Sequence, residues 1–194
     1  MTLPTKLTVL RVLLALLVMD LLFVPGWAAK AAALGCFFVA GATDWLDGYL
    51  ARRLGQATPL GALLDPIADK VLVLGTFLAF VQLRLIPAWM VLVIVLRESL
   101  ITGVRLVAAG RNIVLPAAKE GKQKTVSQML TITVILAVLI IRELPVSHAL
   151  SPQAMEAMWW SVLGCLWVTM VLTVVSGTMF FWRHRVILRD VVSP

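Results

Sequence analysis

Four of the six aspartates in this sequence fall in one stretch, Asp44 to Asp69, which reads DWLDGYLARRLGQATPLGALLDPIAD. Hydrophobic runs flank it on both sides, so these carboxylates stand at the edge of something apolar. Burying an unpaired carboxylate is costly or forces it neutral, so four together need cations. Asp44 and Asp47 are three apart and Asp65 and Asp69 four apart, so each pair shares one face of a helix. Gly55 and Pro59 between them let the chain reverse and bring the pairs together. Four converging hard oxygen donors suit two divalent cations, Mg²⁺ or Mn²⁺.

The residues around the acids refine this chemistry. Asp44, Gly48, Ala51 and Gly55 form one row on the first helix, and Gly61, Asp65, Ala68 and Gly75 a similar row on the second. Small residues permit close helix packing. They equally let a flat, phosphate-bearing ligand lie on the backbone beside the metals. Arg52, one turn beyond Gly48, can give a phosphate a bidentate partner. Pro66 frees the carbonyl of Ala62 inside the second helix.

A second set of polar residues lies further on. In Arg97-Glu98-Ser99-Leu100-Ile101-Thr102-Gly103-Val104-Arg105, one row carries Arg97, Ile101 and Arg105, and its neighbour Glu98, Thr102 and Arg105. Gly121-Lys122-Gln123-Lys124-Thr125 then opens another helix with two lysines. Arg97, Thr102, Arg105, Lys122 and Lys124 together make a cationic pocket sized for a small phosphate monoester. The alternative is that Arg97 and Glu98 balance other buried charges while the lysines obey a topology rule.

Asp44-x-x-Asp47-Gly48-x-x-Ala51-Arg52, eight residues, Gly61-x-x-x-Asp65-x-x-x-Asp69 resembles the full signature of the CDP-alcohol phosphotransferases, with all eight fixed positions at the family's spacing. The resemblance implies that Asp44, Asp47 and Asp65 bind metal, with Asp69 partly a ligand and mainly the catalytic base. It implies that Gly48, Ala51, Arg52 and Gly61 cradle a cytidine diphosphate. Pro4-Thr5-Lys6-Leu7-Thr8-Val9-Leu10-Arg11 is similar to the family's nucleotide-contacting N-terminal pattern, with Thr5 where an asparagine is usual. Thr8 and Arg11 match it; their alternatives are capping near Thr5 and snorkelling of Arg11 to the interface.

The wording RExxITGxR, then GKxKTxxQM ending at Met129, resembles one subfamily, the phosphatidylglycerophosphate synthases, and Asp65 to Lys70 agrees. The substrates so implied are CDP-diacylglycerol and sn-glycerol 3-phosphate, joined to give phosphatidylglycerophosphate and CMP, by an enzyme that forms homodimers among membrane lipids. Two alternatives stay open. One keeps the chemistry with inositol phosphate, serine or a phospholipid as acceptor. The other is a divalent-cation transporter, against which stands the lack of an inverted repeat.

The elements that must hold these residues are apolar. The chain is 61% hydrophobic with a mean hydropathy of +0.98, which marks an all-α integral membrane protein rather than a soluble domain. Against a yardstick of about 20 residues, six apolar segments run 7–24, 28–50, 61–81, 87–107, 125–141 and 155–182. They form one six-helix transmembrane domain over residues 1–194, with signature residues 44–69 and acceptor motifs 97–129. A signal peptide is the weaker account of the first segment, because Arg11 and Asp20 interrupt it.

Twelve of the seventeen Lys and Arg residues fall on one side of such a bundle; Lys30, Arg84 and Arg142 fall on the other, and Lys70 and Arg97 lie within helices. The positive-inside rule therefore puts both termini and the aspartates at the cytoplasmic face of the inner membrane. It also accounts for the net charge of +7 without a nucleic-acid partner. Trp27, Trp89, Trp159 and Trp160 suit an outer interfacial belt and Trp45 and Trp182 an inner one, whereas Trp167 fits neither. Cys36 and Cys165 lack metal-ligand spacing, and His148 and His184 are expected in solvent between or after helices.

Overall fold

The chain is cut into helices where the sequence supplies turn chemistry. The computed structural model describes residues 3–54, 59–110, 113, 119–145 and 150–185, with side chains for 7–43, 68, 70–110, 113, 123–145 and 150–185. Six helices follow one another: α1 (Leu3–Phe23), α2 (Trp27–Leu54), α3 (Pro59–Gln82), α4 (Ala88–Gly110), α5 (Lys119–Glu143) and α6 (Pro152–Arg183). No strand occurs among the described residues, so the all-α expectation and its helix number are met.

Gly26 closes the α1–α2 hairpin at a φ of 106°, a conformation open to glycine and strained for other residues. Its N–H donates to Glu143 Oε2 at 2.7 Å, which fastens this turn to the end of α5. Lys30 reinforces the same corner. Its Nζ donates to the carbonyls of Leu22, at 2.9 Å, and Val24, and stands 3.5 Å from Glu143 Oε1. The carbonyl groups that the end of α1 leaves over thus find a buried cation.

The α3–α4 turn depends on Arg84, which adopts a φ of 56°. Leu85 N–H reaches the Phe80 carbonyl at 3.0 Å and Arg84 N–H the Val81 carbonyl at 2.9 Å, the paired bonds of a Schellman motif. At the start of α6, Ser151 Oγ accepts from Ala154 N–H at 3.2 Å and Pro152 occupies the first turn.

Contacts fix the directions of the helices. Gly26 meets Glu143, and a Cβ on Gly41 would stand 2.9 Å from Met129 Cε, so α2 and α5 run antiparallel. Trp89 packs edge-on against Trp167 at 5.9 Å, Arg97 bonds Ser176, and Arg105 lies over Phe180, so α4 and α6 run parallel. Both results are what six alternating helices require. α1 packs against α2 and α3, α5 against α2 and α6, and α4 against α6 and α3.

One apolar cluster takes residues from all six helices, among them Val18, Phe37, Phe77, Met90, Leu136 and Leu166. Polar groups share that interior: Gln128, Thr131, Thr169 and Thr173 are buried, and Thr131 Oγ1 lies 2.8 Å from Thr169 Oγ1. Leu92, Leu96 and Leu100 meanwhile line an exposed face of α4. Polar inside and leucine outside suits a surround of lipid.

By length and composition, Gln123–Glu143 and Pro152–Arg183 qualify as membrane spans among the described residues. α4 carries Arg97, Glu98 and Arg105, charges that keep it below that test. The shorter apolar stretches 27–43 and 70–82 belong to α2 and α3.

His184 departs from expectation. It is 4% exposed rather than solvated, with its ring 4.7 Å from that of Phe180 and Nδ1 3.0 Å from the Phe180 carbonyl oxygen. The same carbonyl accepts the His184 backbone N–H at 3.1 Å, so the residue folds back on the end of α6. His148 lies outside the described residues. Trp167, which suited neither belt, finds its partner in Trp89.

Candidate active site

The backbone carries the two acid pairs as the spacing requires. Asp44 and Asp47 lie in α2, which continues to Leu54, and Asp65 and Asp69 in α3, which begins at Pro59. The side chains of all four, and those at Gly48, Ala51, Arg52, Gly61 and Lys122, lie outside the described side chains. Among the described residues no group of three or more His, Cys, Asp or Glu comes together. Ala68 and Gly75 on the small-residue row of α3 are both buried, and a Cβ on Gly75 would stand 2.8 Å from Met19 Sδ. At Gly75 the row therefore serves close packing against α1.

Helix register shows which residues share the level of the acids. Equal steps from the turn at Pro25 pair Thr8 on α1 with Ala42 on α2, and Lys6 with Asp44. Counting along antiparallel α2 and α5 from the Gly41–Met129 contact brings Lys124 level with Leu46, between Asp44 and Asp47. Thr8 is 2% exposed, Arg11 1% and Lys124 7%, so all three point into the bundle. For Arg11 this excludes snorkelling to the interface.

The polar residues of α4 meet partners on three other helices. Glu98, buried, takes Lys70 Nζ of α3 on Oε2 at 3.1 Å and Arg97 Nη1 on Oε1 at 3.0 Å. Lys124 of α5 joins them on Oε1. Arg97 Nη2 donates to Ser176 Oγ of α6 at 3.0 Å. Gly177 leaves room for the Arg97 stem here, since a Cβ there would stand 3.1 Å from Arg97 Cγ. Converging cations repel one another, and the carboxylate offsets that repulsion where little water screens it.

Arg97 and Lys124 both bond Glu98 Oε1, which is the balance of buried charges that the alternative reading gave for Arg97 and Glu98. Arg105 is on the same row of α4 but exposed, its guanidinium 5.5 Å from the Phe180 ring centroid. Eight residues along a helix separate it from Arg97, about 12 Å at 1.5 Å per residue. Thr102 is half-buried between them. Sequence reasoning gave Glu98 only a part in charge balance and gave no role to Lys70 or to Ser176. The available signal was charge: Glu98 is the only acid in α4.

The profile of the CDP-alcohol phosphatidyltransferase family matches residues 1–175. The chain is 38% identical to a CDP-diacylglycerol–glycerol-3-phosphate 3-phosphatidyltransferase of Bacillus subtilis, with 94% of each chain covered. It is 41% identical to a protein of the same name from Pseudomonas fluorescens, over 71% of this chain and 73% of that one. A cardiolipin synthase (CMP-forming) of Oryza sativa is 36% identical over 94% of this chain, which spans 58% of the rice protein.

Proposed function

Because the chain belongs to the CDP-alcohol phosphatidyltransferase family, we propose that it transfers the phosphatidyl group of CDP-diacylglycerol to sn-glycerol 3-phosphate, giving phosphatidylglycerophosphate and CMP. The observation that carries this is the match to the B. subtilis enzyme over 94% of both chains. The second motif set, residues 97–129, supports the choice of acceptor.

Asp44, Asp47, Asp65 and Asp69 form an all-oxygen donor set on successive helices, which fits a hard divalent cation. The first three, with Asp69 sharing, would hold two ions, Mg²⁺ or Mn²⁺. Bound there, such ions neutralise charge on the diphosphate and on departing CMP. Thr8, Gly48, Ala51, Arg52 and Gly61 hold the cytidine diphosphate. Asp69 takes the proton from the 1-hydroxyl of glycerol 3-phosphate as that oxygen bonds to the β-phosphorus. The bond from this phosphorus to the CMP oxygen breaks in the same displacement.

Arg97, Thr102, Arg105, Lys122 and Lys124 receive the acceptor's phosphate. The buried meeting of Arg97 with Lys124 supports this, as does the level that Lys124 shares with the first acid pair. The protein is membrane-associated. Six spanning helices, with both termini and the aspartates on the cytoplasmic side, are supported by alternating helix direction and by the bias of twelve basic residues against three. The working unit is a homodimer, as the family resemblance implies.

The likeness to the rice protein favours a second reading, a phospholipid acceptor. CMP release from CDP-diacylglycerol by the purified protein, with each acceptor in turn, decides between them. Glycerol 3-phosphate is expected to support the fastest release. A faster rate with phosphatidylglycerol, inositol phosphate or serine would overturn the acceptor assignment. No CMP with any acceptor would overturn the enzyme.

A further inference from the structure

Polar side chains meet in successive levels along the buried seam between α5 and α6. At one level Thr131 Oγ1 stands 2.8 Å from Thr169 Oγ1. Counting from that contact along the antiparallel pair brings Lys124 level with Ser176, and Gln128 level with Leu172, beside Thr173. At the Lys124–Ser176 level the groups are joined, since Arg97 and Lys124 bond Glu98 and Arg97 also bonds Ser176. At the level between, they are not. Gln128 is 3% exposed and Thr173 0%, yet Gln128 Nε2 and Thr173 Oγ1 have no hydrogen-bond partner among the described residues.

Gln128 is three residues from Thr131, and Thr173 four from Thr169, so both face this seam. Thr173 forgoes the bond that Thr76 and Thr133 make, from the hydroxyl to the carbonyl four residues back. Arg97 Nε, beside Gly177 one turn further along α6, is likewise unpartnered. Buried polar atoms are costly to leave unpaired, so three on adjoining turns of three helices point to a polar ligand.

We propose that Gln128 and Thr173 are specificity-determining residues that bind the 2-hydroxyl of glycerol 3-phosphate. This rests on the acceptor phosphate site proposed above and adds the groups that read the glycerol. A hydroxyl both accepts and donates: its oxygen takes Gln128 Nε2–H and its proton goes to Thr173 Oγ1. The pair lies one turn, about 5.4 Å, from the Arg97–Ser176 level, a distance that a three-carbon chain spans. The Gly41–Met129 contact puts Gln128 level with Ala42, two residues or about 3 Å along the axis from Asp44. An acceptor held here by its phosphate and 2-hydroxyl therefore has its 1-hydroxyl near the level of the first acid pair.

The test compares sn-glycerol 3-phosphate with 3-hydroxypropyl phosphate, which lacks only the 2-hydroxyl, in the full-length protein in detergent. The unaltered protein is expected to prefer glycerol 3-phosphate roughly ten- to a hundredfold in kcat/KM, because the analogue leaves both buried groups unpaired. Thr173→Val and Gln128→Leu, close in shape, should each bring the two acceptors near parity, mainly by weakening use of glycerol 3-phosphate. KM for CDP-diacylglycerol should stay unchanged. Thr173→Ser keeps the hydroxyl and is expected to keep the preference, which separates hydroxyl chemistry from repacking and keeps the test open should Val not fold.

Equal use of both acceptors by the unaltered protein overturns the inference and leaves the phosphate site standing. So does a preference unmoved in both variants, even where kcat falls equally for the two acceptors, which is what a pair serving packing or buried water gives. Loss of preference in one variant alone overturns the paired site. No turnover of glycerol 3-phosphate by the unaltered protein overturns the proposed function, and this inference with it.

Discussion

Replacing Asp44, Asp47 or Asp65 by Asn exchanges a hard anionic donor for a neutral amide, and each variant is expected to lose turnover altogether. Treatment of the unaltered protein with EDTA should have the same effect, reversed by Mg²⁺ or Mn²⁺. Full activity after complete removal of divalent ions would refute the two-metal assignment. Asp69→Asn separates a base from a ligand. A lost base lowers kcat far more than it weakens CDP-diacylglycerol binding, because the acceptor proton has nowhere to go. Equal losses in both would make Asp69 a metal ligand alone. Spacing and charge single these residues out in the sequence, and the helices carry them at that spacing. For Glu98 the sequence offered charge balance without naming the partners, since Lys70 and Lys124 stand 28 and 26 residues away.

At the scale of the element, the sequence located all six helices and misjudged their ends. α1 begins at Leu3 rather than residue 7, α2 runs to Leu54 rather than 50, and α5 starts at Lys119 rather than 125. Hydropathy marks only the apolar part of a helix, and these ends carry Lys6, Arg52 and Lys122. Lys30 was counted simply as an outer charge, whereas it is the buried link between the α1–α2 turn and α5. Glu143→Gln removes the charge from this link but keeps an acceptor for Gly26 N–H. A loss of about 1.5–3 kcal/mol is expected, the scale of a hydrogen bond to a charged group. It should appear as a lower thermal midpoint in detergent with both KM values unchanged, because the corner lies at the opposite end of α2 from Asp44. An unchanged midpoint would show the Lys30–Glu143 pair to be idle.

For the whole molecule, orientation decides whether the proposed chemistry can occur, since glycerol 3-phosphate and a CDP-linked lipid must meet on one side of the membrane. The sense proposed above rests on twelve basic residues against three, and the parallel run of α4 and α6 is what alternate crossing requires. α6, at 32 residues, is about 48 Å long and exceeds a hydrocarbon core of about 30 Å, so one end must tilt or emerge. Cysteine labelling tests the arrangement directly. With Cys36 and Cys165 replaced by Ala, Arg84→Cys probes the α3–α4 turn, Ser151→Cys the start of α6, and Arg183→Cys its end. In right-side-out vesicles a membrane-impermeant thiol reagent is expected to modify the first two, and the third only after permeabilisation. The reverse pattern would place the aspartates outside, away from nucleotide-linked substrates. Labelling of all three in sealed vesicles would mean that α6 does not cross, and the six-span architecture would fall with it.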